Sequence, residues 1–233
     1  MSNPRFDFPA AGGAHYGATA GTRNRVLRNT YLLLAISMVP TVLGAWVGLK
    51  TGISASLSGW MGLVVFFAGA FGFMYAIERT KHSSAGVAVL LAFTFFMGVM
   101  LSRMLGWVLG MGNGTQLVMI AFAGTAGVLA VMSSLATVIK RDLSGAGKWL
   151  FVGALVLIVA SLINAFLIES TALMAALSTA VIALFSFWLL YDLKRIIDGG
   201  ETNYISATLG VYLSLYNIFS NLLALLGIFG GDD

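Results

Sequence analysis

Apolar residues run along this chain in long blocks separated by short polar breaks. Seven blocks stand out: roughly Tyr31 to Leu49, Leu57 to Ile77, Gly86 to Leu109, Gln116 to Ile139, Trp149 to Ile168, Ala172 to Tyr191 and Tyr204 to Phe229. Each has about the 20 residues that an α-helix needs to cross a hydrocarbon core some 30 Å thick. Most show no polar face of period 3.6, so a half-exposed helix of a soluble core does not fit them. The pattern predicts an all-α polytopic membrane bundle of seven transmembrane helices over residues 23–233. Residues 1–22 are small and polar, with Asp7 near the start and no apolar run. They read as a flexible cytoplasmic tail rather than a cleavable signal peptide.

The seventh block differs from the rest. Gly210, Ser214, Asn217 and Asn221 recur at spacings of four, three and four, which puts them on one helix face, with Leu213, Leu215, Ile218, Leu222 and Leu225 over much of the remainder. Such a face avoids lipid, and it predicts that the seventh helix is central. Two uses are open for it: close packing with amide hydrogen bonds to neighbouring helices, or a polar lining for an ion or proton route. Packing through small residues is also expected at the GxxxG spacings Gly44/Gly48, Gly106/Gly110 and Gly227/Gly231, and a kink is expected at Pro40.

Composition agrees with this pattern, at 59% hydrophobic and 9% charged residues. The net charge of +4 is no nucleic-acid footprint, because the basic residues sort by side. With the N-terminus inside, the inner segments hold Arg5, Arg23, Arg25, Arg28, Arg79, Lys81, Lys140, Arg141, Lys148, Lys194 and Arg195, and the outer segments hold Lys50. Arg103 sits in the outer half of the third span, where its guanidinium is expected to reach the headgroups, a buried ion pair being the alternative. The asymmetry predicts a cytoplasmic N-terminus and a C-terminus, with Asp232 and Asp233, outside. Anchoring is by the helices themselves, since Ser2 follows Met1 and no myristoylation signal is present.

Catalysis finds little to work with. There is no cysteine, and the two histidines, His15 in the tail and His82 in an inner loop, are placed neither for a dyad with an intramembrane serine nor for a transition metal. HExxH, GxSxG and phosphate-binding glycine loops are missing, and GMGNG from Gly110 and SGAGK from Ser144 lack the strand-and-helix context of such loops. The reading is a non-enzyme without a cofactor. Asp192, at the end of the sixth block beside Lys194 and Arg195, is read as an interfacial carboxylate.

The stretch YDLKRIIDGGETNYISATLGVYLSLYNIFSNLLALLGIF from Tyr191 resembles the end of the Bax-inhibitor-motif membrane proteins, a seven-span family. VLRNTYLLL from Val26 and KRDLS from Lys140 match it in order, and GGETNYISAT and YLSLYNIF are most similar to its bacterial YccA-like branch. That resemblance implies an inner-membrane protein that binds and modulates the membrane protease FtsH. Other members of the family resemble pH-sensitive calcium leaks, in which two aspartates of the sixth and seventh spans, assisted by an arginine, form a proton-sensitive pair. By that resemblance Asp192 matches the first aspartate, Ser214 stands where the second would be, and Arg79 is the candidate arginine. The alternative function is then a cation leak with Asp192, Ser214 and Asn217 along its inner half. Ser214 lies about 15 Å along its helix from Tyr204, so Asp192 reaches it only if the sixth helix continues past Asp192.

Overall fold

The computed structural model describes residues 20–56 and 59–230. Seven long helices are present, each long and apolar enough to cross a membrane: α1 (Ala20–Thr51), α3 (Gly59–Thr80), α4 (Ser84–Leu109), α5 (Gly114–Val138), α6 (Ala146–Ile163), α7 (Thr171–Ile197) and α8 (Tyr204–Gly230). A single turn, α2 (Ile53–Ser56), follows α1, and a π-helical turn, Asn164–Ile168, extends α6. No strand occurs among the described residues. The expected tail lies outside the described residues up to position 19, and its last three residues, 20–22, belong to α1.

The helices outrun the apolar blocks at one end of the bundle. α1 has 32 residues and so spans about 48 Å, well beyond a hydrocarbon core of roughly 30 Å. Its first turns stay helical because they have something to pack on: Val26 is buried with Ile196 and Ala207, and an Arg23 Nη donates to the carbonyl of Ile197 at 3.3 Å. A cation at the last carbonyls of α7 is also favoured by the helix dipole. α7 likewise continues for five residues past Asp192, to Ile197. The starts of α1, α4, α6 and α8 and the ends of α3, α5 and α7 therefore share one end, which carries most of the Lys and Arg residues. At the opposite end an Asn113 amide donates to the carbonyl of Gly230.

α8 occupies the centre, with α1, α4, α5 and α7 around it and α3 touching it more lightly. Phe93, Leu189, Val211, Ile218 and Leu223 are fully buried along this axis. α3 stands outside against α4, and α6 leans on α7, where Gly153 admits the Leu184 side chain. Both leave apolar faces outward, such as Phe71 on α3 and Val156 on α6. The two meet where Trp60 packs edge-on to Phe166 at 5.8 Å.

The tightest helix contact is between α1 and α4, and small residues make it possible. A Cβ on Gly44 would land on the Phe95 carbonyl, one on Gly48 on Ser102, and one on Gly98 on the Thr41 carbonyl. The spacing Gly44/Gly48 thus marks a true contact. Gly106 lies against Leu49, while Gly110 merely ends α4; Gly227 admits the Trp107 ring, and its partner Gly231 lies outside the described residues. α1 passes through Pro40 as one uninterrupted helix, flanked by Ser37 and Thr41 hydroxyls that donate to Leu33 and Ser37 carbonyls at 2.8 Å each.

Candidate functional site

Where α7 crosses α8, a carboxylate lies against a glycine. A Cβ on Gly210 would sit 2.8 Å from Asp192 Oδ2 and 3.2 Å from its Cγ, so the absence of a side chain there is what lets the acid reach the α8 backbone. Oδ2 is buried and has no hydrogen-bond partner among the described residues. The nearby cations are engaged elsewhere: Lys194 Nζ lies 2.6 Å from Asp198 Oδ1, and an Arg195 Nη lies 2.9 Å from Glu201 Oε2. Burying a polar group without a donor costs about 2 to 7 kcal/mol by the usual desolvation scale, and of the atoms in that state among the described residues only this one belongs to a carboxylate, those of Thr30, Asn113 and Ser206 being neutral. One turn closer to the start of α8, the Ser206 hydroxyl is also buried and unpartnered. Ser206, Gly210 and Ser214 follow one another at intervals of four on a single face.

The register explains which predicted residues meet. Asp192 stands five residues, about 7.5 Å, from the end of α7, and Gly210 stands six residues, about 9 Å, from the start of α8. Antiparallel neighbours joined by a short loop then align Asp192 with Gly210. Ser214, buried at 1% exposure, falls one turn deeper. Continuation of the helix past Asp192 is present, as the encounter with Ser214 requires, but the residue facing the carboxylate is Gly210. Asn217 and Asn221 are half-buried on the same side of α8. Their amide N–H groups do not cross to another helix: Asn217 donates to Leu213 O and Asn221 to Asn217 O, each at 2.9 Å. A short amide side chain inside a helix reaches its own i−4 carbonyl more easily than a neighbour's.

Arg79 is placed apart from this group. Its Nε donates to the Tyr75 hydroxyl at 3.1 Å and its guanidinium lies 5.2 Å from the centre of that ring, which is 62% exposed, on the outward side of α3. Arg103 is exposed and belongs to none of the ion pairs among the described residues. His82 is exposed in the turn between α3 and α4. No group of three His, Cys, Asp or Glu side chains suited to a metal occurs among the described residues.

Two features of the site lay outside the residues singled out from the sequence. The first is a second polar column on α8, Thr208, Tyr212 and Tyr216, facing α1 and α4. The Tyr212 hydroxyl lies 3.0 Å from Thr41 Oγ1 and 3.4 Å from the Thr94 carbonyl, and the Tyr216 hydroxyl donates to Met97 O at 3.4 Å. Thr208 donates to Tyr204 O at 2.6 Å and approaches Thr30 O at 3.4 Å. The signal was the repeat at four-residue intervals, hidden because tyrosine counts as apolar. The second is the corner between α7 and α8. Gly199 takes a φ of 81°, Gly200 N–H closes on Arg195 O at 2.8 Å, and Asn203 Oδ1 caps α8 by accepting from Ile205 N at 2.9 Å and Ser206 N at 3.1 Å. The Asn203 amide then donates to Lys81 O at 2.8 Å, fastening this corner to the turn between α3 and α4. Each residue of the GGETN segment except Thr202 has a defined role in that corner, since Glu201 accepts from Asn203 N at 2.9 Å while it holds Arg195.

The comparisons with known proteins run the length of this architecture. The family profile described as "Inhibitor of apoptosis-promoting Bax1" matches residues 23–231. An uncharacterized protein of Neisseria meningitidis serogroup B is 38% identical over 221 residues, covering 94% of this chain and 97% of that protein. An uncharacterized membrane protein of Vibrio cholerae is 36% identical over 210 residues, covering 90% and 92%. A protein of Escherichia coli K12 named "Modulator of FtsH protease YccA" is 35% identical over 209 residues, again covering 90% and 92%. With the profile spanning nearly all of the bundle and relatives of this identity over nine-tenths of its length, the chain belongs to the Bax inhibitor family of membrane proteins.

Proposed function

We propose that this chain is a non-enzymatic protein of the bacterial inner membrane that binds and modulates an FtsH-type membrane protease. The observation that carries the reading is the 35% identity, over 90% of the chain, to the protein named as a modulator of FtsH. A second Escherichia coli relative, also 35% identical, is named an inner membrane protein, and the concentration of Lys and Arg at one end favours a cytoplasmic N-terminus and a periplasmic C-terminus. In this reading the outward faces of α3 and α6 contact the partner within the bilayer. The test is affinity capture from membranes with the full chain and with residues 2–20 deleted. Recovery of the protease with the full chain, altered by the deletion, is expected. No protease recovered with either form contradicts the proposal.

A second reading is a proton-sensitive cation leak, and one observation favours it: the buried, unpartnered Asp192 Oδ2 against Gly210. Two carboxylates would repel and hold one proton between them, whereas this chain offers Asp192 with Ser206 and Ser214 on the facing helix. Calcium flux into liposomes across about pH 5 to 8, a range spanning carboxylate and histidine titration, tests it. The leak reading expects flux that Asp192→Asn changes in size and pH dependence. Flux equal to that of empty liposomes at every pH, in the natural chain and in Ser214→Asp, removes it.

A further inference from the structure

A cleft of about 140 Å³ opens at the basic end of the bundle, between the segment joining α5 to α6 and the last turns of α7. Asp142, Ser144, Tyr191, Lys194, Arg195 and Asp198 line it. Lys194, Arg195 and Asp198 are shared with the surroundings of Asp192, and Tyr191 directly precedes Asp192 on α7.

Its charges alternate. Lys194, with a side chain only 10% exposed, is held by Asp198 at 2.6 Å. Asp142 accepts from the Ser144 N–H at 2.8 Å and the Ser144 hydroxyl at 3.0 Å; those bonds hold its carboxyl below the ordinary carboxylate range, and the Lys194 ammonium acts in the same direction. The Arg195 side chain, 41% exposed, is paired with Glu201 at 2.9 Å, and its guanidinium lies 6.0 Å from the centre of the Tyr191 ring. A simple anion entering here meets Asp142 and Asp198. A simple cation meets Lys194 and Arg195, and an apolar ligand finds four charged side chains. A ligand carrying both an anionic and a cationic group a few ångströms apart matches the Lys194–Asp198 ion pair charge for charge and brings a cation to Asp142, which has no ion-pair partner among the described residues.

The depth of the cleft narrows the ligand further. The Tyr191 hydroxyl lies against Gly147 in the first turn of α6, where a Cβ would be 2.8 Å from it. Two residues on, Trp149 is 79% exposed, the position of an indole at a membrane–water boundary. The cleft therefore lies level with the lipid headgroups.

We propose that this cleft seats the phosphate-and-ammonium headgroup of an aminophospholipid, the phosphate against Lys194 and Arg195 and the ammonium against Asp142 and Asp198. The acyl chains then run down the outside of α6 and α7. An ammonium donates hydrogen bonds to carboxylates and a trimethylammonium does not, so the cleft discriminates phosphatidylethanolamine from phosphatidylcholine. Exposed Lys140, Arg141 and Lys148 nearby attract anionic lipid by charge alone and supply the contrast.

The test is native mass spectrometry of the full chain released from bilayers of equal parts phosphatidylethanolamine, phosphatidylcholine and phosphatidylglycerol. Phosphatidylethanolamine is expected to be retained several-fold over phosphatidylcholine. Asp142→Asn, on an exposed loop where folding is not at stake, and Arg195→Gln should each reduce that preference several-fold, while Lys140→Gln lowers retention of phosphatidylglycerol alone. Equal retention of the two zwitterionic lipids, or a preference untouched by Asp142→Asn, overturns the proposal. Soluble phosphoethanolamine separates the two sources of this chemistry. Lipid retention unchanged by millimolar phosphoethanolamine supports the lipid, and displacement at micromolar concentration overturns it in favour of a soluble ligand.

Discussion

α8 presents two polar columns to its neighbours, and they are finished differently. Toward α1 and α4, Thr208, Tyr212 and Tyr216 each place a hydroxyl at a carbonyl, and the Tyr212 ring packs edge-on to Phe93 at 6.0 Å. Toward α7, Ser206 and Asp192 leave buried oxygens without partners among the described residues around Gly210, a carboxylate oxygen among them, whereas on the first side such an atom is Thr30 Oγ1, a neutral hydroxyl of α1 beside Thr208. Desolvation without a hydrogen bond is costly, so a fold tolerates it where the group is used or where a neighbour supplies a partner on occasion. The contrast teaches that the two sides of one helix do different work: the first fixes the bundle, and the second keeps a carboxylate available within it.

Substitutions can break or sharpen that contrast. The largest effect is expected where the fixed side is tightest. A side chain at Gly44 overlaps the backbone of α4 at Phe95, so Gly44→Leu should cost about 3 kcal/mol or more and abolish the cooperative thermal transition of the purified protein. The open side should respond in the opposite direction. Asp192→Leu removes the unpartnered carboxylate and is expected to stabilise by about 1 to 3 kcal/mol, read as a higher melting temperature in detergent. Asn203→Ala loses the cap of α8 and the tie to Lys81, and should cost about 1 kcal/mol while freeing the corner to proteolysis. Tyr212→Phe keeps the packing on Phe93 and loses only the hydroxyl, for about 0.5 to 1.5 kcal/mol in the same melting experiment.

The membrane-spanning architecture was legible because its cause is one-dimensional. Length and apolarity of a block suffice for a spanning helix, and each of the seven blocks found from residues 31 to 229 overlaps one of the seven long helices, residues 57 and 58 lying outside the described residues. The helix ends were less legible. Arg23, Arg25 and Arg28 read as a tail or loop by composition, yet the helix includes them because Val26 and Arg23 pack on α7. The central place of α8 followed from its small and amide residues, but the use of those residues did not. By its spacing Gly210 reads as a packing residue, and it is where Asp192 rests. Asn217 and Asn221 suggested bonds to other helices and instead donate within their own. Pairings across helices depend on register, which a periodicity along one helix does not contain. The resemblance pointed to Asp192, and only the crossing of α7 with α8 shows which residue faces it. Tyr212 and Tyr216 were passed over because a buried phenol looks apolar until its hydroxyl has a carbonyl to meet.

The claim that α8 keeps a free carboxylate at Gly210 is tested most directly by a double-mutant cycle on Asp192 and Gly210, read as thermal unfolding of the purified protein. The account predicts that Gly210→Ala destabilises the natural chain and has little effect when Asp192 is already alanine, because the three atoms nearest the added methyl group all belong to the Asp192 carboxylate. Equal effects of Gly210→Ala in both backgrounds would mean that Asp192 does not lie against Gly210, and the contrast between the two sides of α8 would fail with it.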